Sequence, residues 1–266
     1  MQNFLIKFII FLSLLFSLYF LFDHIGSWAL LFFWILCGVI DVLRHKTLSF
    51  KVIKQYFTGK GMLTWFLSPI NLFTDLISPK NLHVYSINNL PNDLKLEILE
   101  IINFFDNNTV NITKRFQGAG SSRTMLFYKW YDKNLDAQFP EFNKKFKYIK
   151  TIGVSLFKEK TSTSRHFGPL RVSFRVLYNF NKAQNPESYI EADGIINVWK
   201  DQSLFIFDDT LIHQSFSKEE GVRYCAFIDI IRPTYVYPIM SSLLKIVSFF
   251  MIKVRGIFYK NWQMIK

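Results

Sequence analysis

The sequence predicts a mainly β domain, a double-stranded β-helix or jelly roll with flanking helices, preceded by an N-terminal transmembrane helical hairpin. Three observations predict this. Beyond Tyr148 the chain breaks into short strand-like runs, Leu94 to Phe105 carries a helical period, and the first 43 residues hold two apolar stretches. The strand-like runs are Thr151 to Phe157, Val172 to Phe180, Ile195 to Trp199, Ser203 to Phe207 and Arg223 to Ile231, with polar turns between them. An antiparallel double sheet accommodates such runs. Asn89 and Pro91 open the helix, whose Leu94, Ile98, Ile101, Ile102 and Phe105 share one face suited to packing on the sheet.

The hairpin is expected from Phe4 to Phe22 and Ser27 to Leu43, each nearly long enough to cross ~30 Å of hydrocarbon, with Asp23-His24-Ile25-Gly26 as the turn. A single anchor plus a buried helix is the alternative, because both runs are short. Arg44, His45, Lys46, Lys51, Lys54 and Lys60 follow, which predicts that the rest of the chain lies on the cytoplasmic side of an inner membrane. Met62 to Ile77 is rich in apolar residues but interrupted by Pro69, as an interfacial segment would be, and the tail from Tyr237 is apolar with Lys245, Lys253, Arg255 and Lys260 interspersed. The expected organisation is therefore 1–43 anchor, 44–84 basic and interfacial linker, 85–236 jelly-roll domain and 237–266 amphipathic membrane-surface tail.

Half of the residues are hydrophobic, and 32 Lys and Arg against 20 Asp and Glu leave a net charge of +12. Such a balance draws polyanions or anionic membranes. The cations lie beside apolar stretches and form no zinc-finger spacing or basic recognition helix, so an anionic membrane surface is the expected partner rather than nucleic acid. Two cysteines, Cys37 and Cys225, support neither a disulfide framework nor a zinc site and suit a reducing compartment. Oligomeric state is not encoded in any pattern here.

Of five histidines only His166 and His213 fall in the strand-rich part, one before Phe167-Gly168-Pro169 and one after the run ending in Asp208-Asp209. Two imidazoles at a barrel mouth can bind iron, although a lone histidine at a loop edge is more often structural. Arg175 and Arg223 lie nine and ten residues after them in apolar runs, where a guanidinium needs an anionic partner. A dicarboxylic ligand would satisfy both arginines, and so would internal acids such as Asp208, Asp209 or Asp229. The two acids before His213 either orient its second ring nitrogen or cap a turn.

Ser155, His166-Phe-Gly-Pro169, Arg175, Phe207-Asp-Asp209, His213, Arg223 and Asp229-Ile-Ile-Arg-Pro233 together resemble the aspartyl/asparaginyl β-hydroxylase family of oxygenases over about Phe139 to Pro233. The apolar N-terminus, basic stretch and Ser68-Pro-Ile-Asn71 are similar to its lipid A 2-hydroxylase branch. The resemblance implies iron(II) on His166 and His213, 2-oxoglutarate as cosubstrate, with Arg175 on its carboxylate near the metal and Ser155 with Arg223 on its distal carboxylate, and dioxygen as oxidant. The implied reaction is hydroxylation of a membrane lipid, most specifically C2 of an acyl chain on lipid A. An Asp or Asn side chain of a protein is the alternative substrate, and a non-catalytic membrane-binding protein the alternative class. Position 168 is glycine, as in the family it resembles, where common iron oxygenases complete a His-x-Asp pair, so water would fill that coordination position. The run Phe174-Arg-Val-Leu-Tyr-Asn-Phe180 also departs from the family's Leu-Arg-x-His-Leu-Gly-Leu, at Leu177 and Asn179.

Overall fold

A computed structural model describes residues 27–258 and 262–265. Helices α1 (Ser27–Leu43), α2 (Phe50–Thr58), α3 (Met62–Phe66) and α4 (Ser68–Leu76) come first, then strand β1 (Val84–Tyr85) and helices α5 (Asn92–Asn107) and α6 (Thr109–Lys114). The barrel follows as β2 (Arg123–Trp130), β3 (Lys133–Asn134), α7 (Pro140–Asn143), β4 (Ile149–Phe157), β5 (Ser173–Asn179), β6 (Tyr189–Ala192), β7 (Ile195–Val198), β8 (Leu204–Phe207), β9 (His213–Phe216) and β10 (Arg223–Ile231). Helix α8 (Tyr237–Phe258) and β11 (Gln263–Ile265) close the description.

The strands form two sheets. The larger has the order β1-β8-β5-β10-β4-β2-β11 with β3 on β2, and the smaller has β7-β6-β9. Alternation along the strands divides the larger sheet's residues between two faces. Val154, Leu156, Phe174, Val176, Ile206, Ala226 and Ile228 face α5 and bury Leu94, Ile98, Ile101 and Phe105 against it. Their neighbours face inward: Ser155, Arg175, Arg223, Cys225, Phe227 and Asp229 share the inner surface, with Cys225 opposite Ser155 and Asp229 opposite Arg175. Phe205, Phe207 and Cys225 from this face meet Ile190, Ala192 and Trp199 of the smaller sheet in a core between the sheets. The strands expected from the sequence thus lie in a double-sheet, jelly-roll-like domain, with β1, β2, β3, β6, β9 and β11 added to them.

The transmembrane hairpin is not. Among the described residues no helix is long and apolar enough to cross a membrane. The arm from Phe4 to Phe22 lies outside the described residues. The second arm is α1, whose 17 residues span about 25 Å at 1.5 Å each, short of ~30 Å of hydrocarbon. Its C-terminal end is committed to the protein interior: Asp41 is fully buried, accepts from Tyr56 Oη at 2.7 Å and ion-pairs with Arg44 at 3.1 Å and with the buried Arg171. Burial alone would raise the Asp41 carboxyl, but Arg171 and Arg44 hold it below its ordinary value.

Residues 44–84, expected as a linker, are packed on one end of the barrel. Arg44 reaches Asp208 at 2.9 Å, and Arg171 bridges Asp41, Asp75 and Asp208. Helix α8, the expected surface tail, buries Met240, Leu244 and Val247 against Ile77, Leu170, Val172 and Ile231 while Ile246 and Phe249 stay exposed.

Asp193 fastens the chain after α1 to the tip of the β6–β7 hairpin. With φ of 49° followed by Gly194 at 80°, the turn points its carboxylate at the amides of Lys46 and Thr47, at 2.9 and 3.1 Å, and at His83 Nδ1, at 3.2 Å. Burial would raise this carboxyl, yet His83 and the two amides bring it down to about 2. A depressed carboxyl contributes stability above its unfolded value near 4 and loses it as pH falls through about 2. Replacing Asp193 with Asn should therefore lower the thermal midpoint at neutral pH and flatten its fall between pH 4 and 2. An acid limb identical to that of the unaltered chain would contradict this.

Candidate active site

His166 and His213 are brought together by backbone pairing. His166 N donates to His213 O at 3.0 Å and His213 N to His166 O at 2.9 Å, an isolated antiparallel bridge that sets the ring centroids 4.2 Å apart. Each Nδ1 faces a carbonyl that can only accept, Ser164 O at 2.7 Å and Leu211 O at 2.8 Å. Both rings therefore carry their proton on Nδ1 and present an Nε2 lone pair. Burial, and for His166 the adjacent His213, pushes the imidazoles down to about 3 and about 4, so both are neutral near pH 7.

Asp209 completes the arrangement. Its Oδ1 lies 3.4 Å from His213 Nε2, and this buried oxygen has no hydrogen-bond donor. Two acceptors thus face each other with no proton between them, a contact that a cation, or water held by one, would relieve. Gly168 makes room for this carboxylate, since a Cβ there would collide with Asp209 Oδ2. The Asp209 carboxylate thus occupies the space in which a side chain at position 168 would begin. Among the described residues no group of three or more His, Cys, Asp or Glu is arranged to hold a metal. The two imidazoles are the nitrogen donors that this arrangement could offer a metal, a pair compatible with ferrous iron when water and a chelating cosubstrate supply the remaining positions.

The two arginines differ. Arg175 Nε donates to Asp229 at 2.6 Å, Nη2 reaches Asp209 at 3.2 Å, and the guanidinium lies 3.7 Å from the Phe227 ring centroid. It has the internal acids that the sequence offered as its alternative partners. Arg223 has none: it is 1% exposed, no carboxylate among the described residues pairs with it, and its Nε is without a partner. It stands between Phe157 and Trp199, 4.4 and 5.3 Å from the ring centroids, with Nη2 donating to Ser215 Oγ at 3.2 Å. Burial lowers its pKa, yet guanidinium remains a cation in proteins. Ser155 lies on the same inner face, its hydroxyl donating to Cys225 O at 3.1 Å.

Asp208 does not orient His213. It accepts from Arg44, Asn81 and Thr210, while the second ring nitrogen of His213 is held by Leu211 O. The sequence reasoning also passed over Trp199 and Ser215 beside Arg223, although a tryptophan closing a strand-like run was a usable signal. Leu177, where the family has a histidine, packs on the inner face with Phe227, Phe127 and Met125.

The family model described as Aspartyl/Asparaginyl beta-hydroxylase matches residues 98–233, half of the chain. No curated protein matches. Among solved structures the chain is similar to TT1209 from Thermus thermophilus, at 9% identity and TM-score 0.27, over 34% of this chain and 79% of that one. It is also similar to an oxidoreductase of the 2OG-Fe(II) oxygenase family from Burkholderia pseudomallei, at 14% identity and TM-score 0.27, over 36% and 48%. A third is a mutant salicylate 1,2-dioxygenase from Pseudoaminobacter salicylatoxidans, at 12% identity and TM-score 0.29, over 54% and 36%. The chain thus matches about half of the second structure and a third of the third.

A buried cation without a counter-ion costs stability. Arg223→Met should raise the thermal midpoint of the ligand-free chain, by roughly 1 kcal/mol or more in stability. The same change should abolish the thermal shift that 2-oxoglutarate or succinate gives the unaltered chain. A variant that still responds to both would show that Arg223 receives no carboxylate.

Proposed function

Because the chain belongs to the aspartyl/asparaginyl beta-hydroxylase family, we propose that it is an iron(II)- and 2-oxoglutarate-dependent dioxygenase that hydroxylates a membrane lipid, most specifically C2 of an acyl chain on lipid A. The observation carrying the cofactor assignment is Arg223, a buried guanidinium with an unpartnered Nε and no carboxylate of its own, on the same inner face as Ser155. It fits the distal carboxylate of a dicarboxylic cosubstrate, because a planar fork recognises a carboxylate bidentately.

When bound, iron and 2-oxoglutarate supply oxidative decarboxylation of the keto acid coupled to insertion of one dioxygen-derived oxygen atom into a substrate C–H bond. The chain supplies position, charge and shelter. His166 and His213 offer fixed Nε2 donors at neutral pH, and their Nδ1 contacts with Ser164 and Leu211 prevent ring rotation. Asp209 can accept a hydrogen bond from metal-held water, in the space that Gly168 leaves clear. Arg175, fixed by Asp229 and Asp209 over Phe227, would lend its charge to the carboxylate near the metal. The aromatic faces of Phe157 and Trp199 exclude water around Arg223.

The lipid substrate is supported by two features. Leu177, Phe227, Phe127 and Met125 give the inner face an apolar wall near Arg175, suited to an aliphatic chain. Outside, α1, α2 and α3 expose Trp28 at 76%, Phe32 at 68%, Phe50 at 80% and Phe66 at 62%, with exposed Lys46, Lys51, Lys54 and Lys60 beside them. Apolar side chains bordered by cations suit an anionic bilayer surface. The proposed location is the cytoplasmic face of the inner membrane, with the free, buried Cys37 and Cys225 in keeping with a reducing compartment.

Purified chain supplied with iron, ascorbate and 2-oxoglutarate should release succinate faster when acylated phospholipid or lipid A is added, and mass spectrometry should find one added oxygen on an acyl chain. His166→Ala should lose both signals by a factor of about 100 or more. Oxygen found on Asp or Asn of peptides instead would move the substrate to protein. Absence of succinate under every condition would remove the enzymatic reading.

A further inference from the structure

The loop that carries His166 rests on helices that the family match does not include. Matched residues begin at 98, yet residues 164–171 are held by side chains from α2, α3 and α4. Gln55 Nε2 donates to Arg165 O at 2.7 Å, Thr64 Oγ1 to Gly168 O at 2.9 Å and Asn71 Nδ2 to Pro169 O at 3.3 Å. Asn71 Oδ1 accepts from Arg171 N at 2.9 Å. Thr64 and Asn71 are essentially inaccessible to solvent, and Gly168 O, buried with Thr64, has no water as a substitute partner.

The barrel itself fixes only part of this loop, through the N–H and C=O of His166 and through Gly168 N, which donates to Asp209 O at 2.7 Å. Gly168 is its softest joint, because a residue without Cβ has the widest range of backbone angles. The orientation of its peptide also decides whether the Asp209 carboxylate can sit where a Cβ would otherwise be. The bonds from Thr64 and Asn71 fall on the two carbonyls that follow this joint, and that from Gln55 on the carbonyl just before His166.

We propose that Gln55, Thr64 and Asn71 are positioning residues that hold the His166–Pro169 turn in its metal-binding geometry, making the N-terminal helices a wall of the active site. This rests on His166 and His213 being the metal pair, and it gives Ser68-Pro-Ile-Asn71 a physical task. The proline starts α4 and brings Asn71 under the turn, where its amide meets one carbonyl and one N–H two residues apart.

Cobalt(II) titration of the full chain, followed by the visible d–d bands, tests this without turnover. Thr64→Val, isosteric but unable to donate, and Gln55→Ala should each weaken cobalt binding by about 10-fold, and Thr64→Val should also lower the metal-free thermal midpoint, because it leaves Gly168 O buried without a donor. Thr64→Ser, which restores the donor, should return affinity to that of the unaltered chain. Cobalt affinities within about twofold of the unaltered chain in both variants would overturn the proposal. So would a loss of affinity matched by an equal loss of metal-free stability that Thr64→Ser does not repair. If His166→Ala binds cobalt as well as the unaltered chain, the metal pair itself is wrong and the positioning role falls with it, an outcome separable from the other two.

Discussion

Two backbone hydrogen bonds between His166 and His213 do more than close a bridge. Direct backbone pairing fixes the relative position of two residues more closely than side-chain packing between sheets does. Here the loop after β4 pairs with the first residue of β9, and the imidazoles come to lie side by side because paired residues in an antiparallel bridge project to the same face. The same pairing places Gly168 N on Asp209 O, and so brings the Asp209 carboxylate to the glycine. Ring tautomer, carboxylate placement and the absence of a side chain at 168 thus follow from one local register.

Much of this was legible in the sequence. Strands β4, β5, β7, β8 and β10 lie close to the apolar runs that predicted them, because each is short and bounded by polar turns. The helical period from Leu94 to Phe105 marks the residues that α5 buries. Strand β2 was missed although Arg123–Trp130 is almost wholly buried, since an apolar run without alternation does not distinguish a strand covered on both faces from a helix. The membrane hairpin failed for a related reason. Composition ranks Ser27–Leu43 as apolar, but what Asp41 does depends on Arg171, 130 residues away. A carboxylate near the end of an apolar run can belong to a membrane boundary or to an interior ion pair, and only the tertiary fold decides.

The site residues show the same division. Residue types and spacings named His166, His213, Arg175 and Arg223, and the family resemblance added Ser155, but partner assignment was beyond them. Both arginines sit in apolar strand runs on the inner face, and the sequence offered both the same pair of partners. Register separates them: Asp229 stands directly opposite Arg175, whereas Arg223 stands opposite Phe157. One strand therefore supplies an arginine with an acid across the sheet and another arginine with only an aromatic face.

Charge at this end of the barrel is distributed with the same selectivity. Arg44, Arg171 and Arg232 are matched by Asp41, Asp75 and Asp208, and burial of these groups is tolerable because each finds its opposite within the network. Separating one partner from such a network would cost ~3–5 kcal/mol, enough to bind α1 and α4 to the turns that carry His166 and His213. Against that compensated background, Arg223 Nε and Asp209 Oδ1 are buried polar atoms that the chain leaves unsatisfied. One is a donor on a cation and the other an acceptor on an anion. A carboxylate would satisfy the first, and a cation, its water or another donor would satisfy the second. A keto diacid chelating a ferrous ion has that polarity.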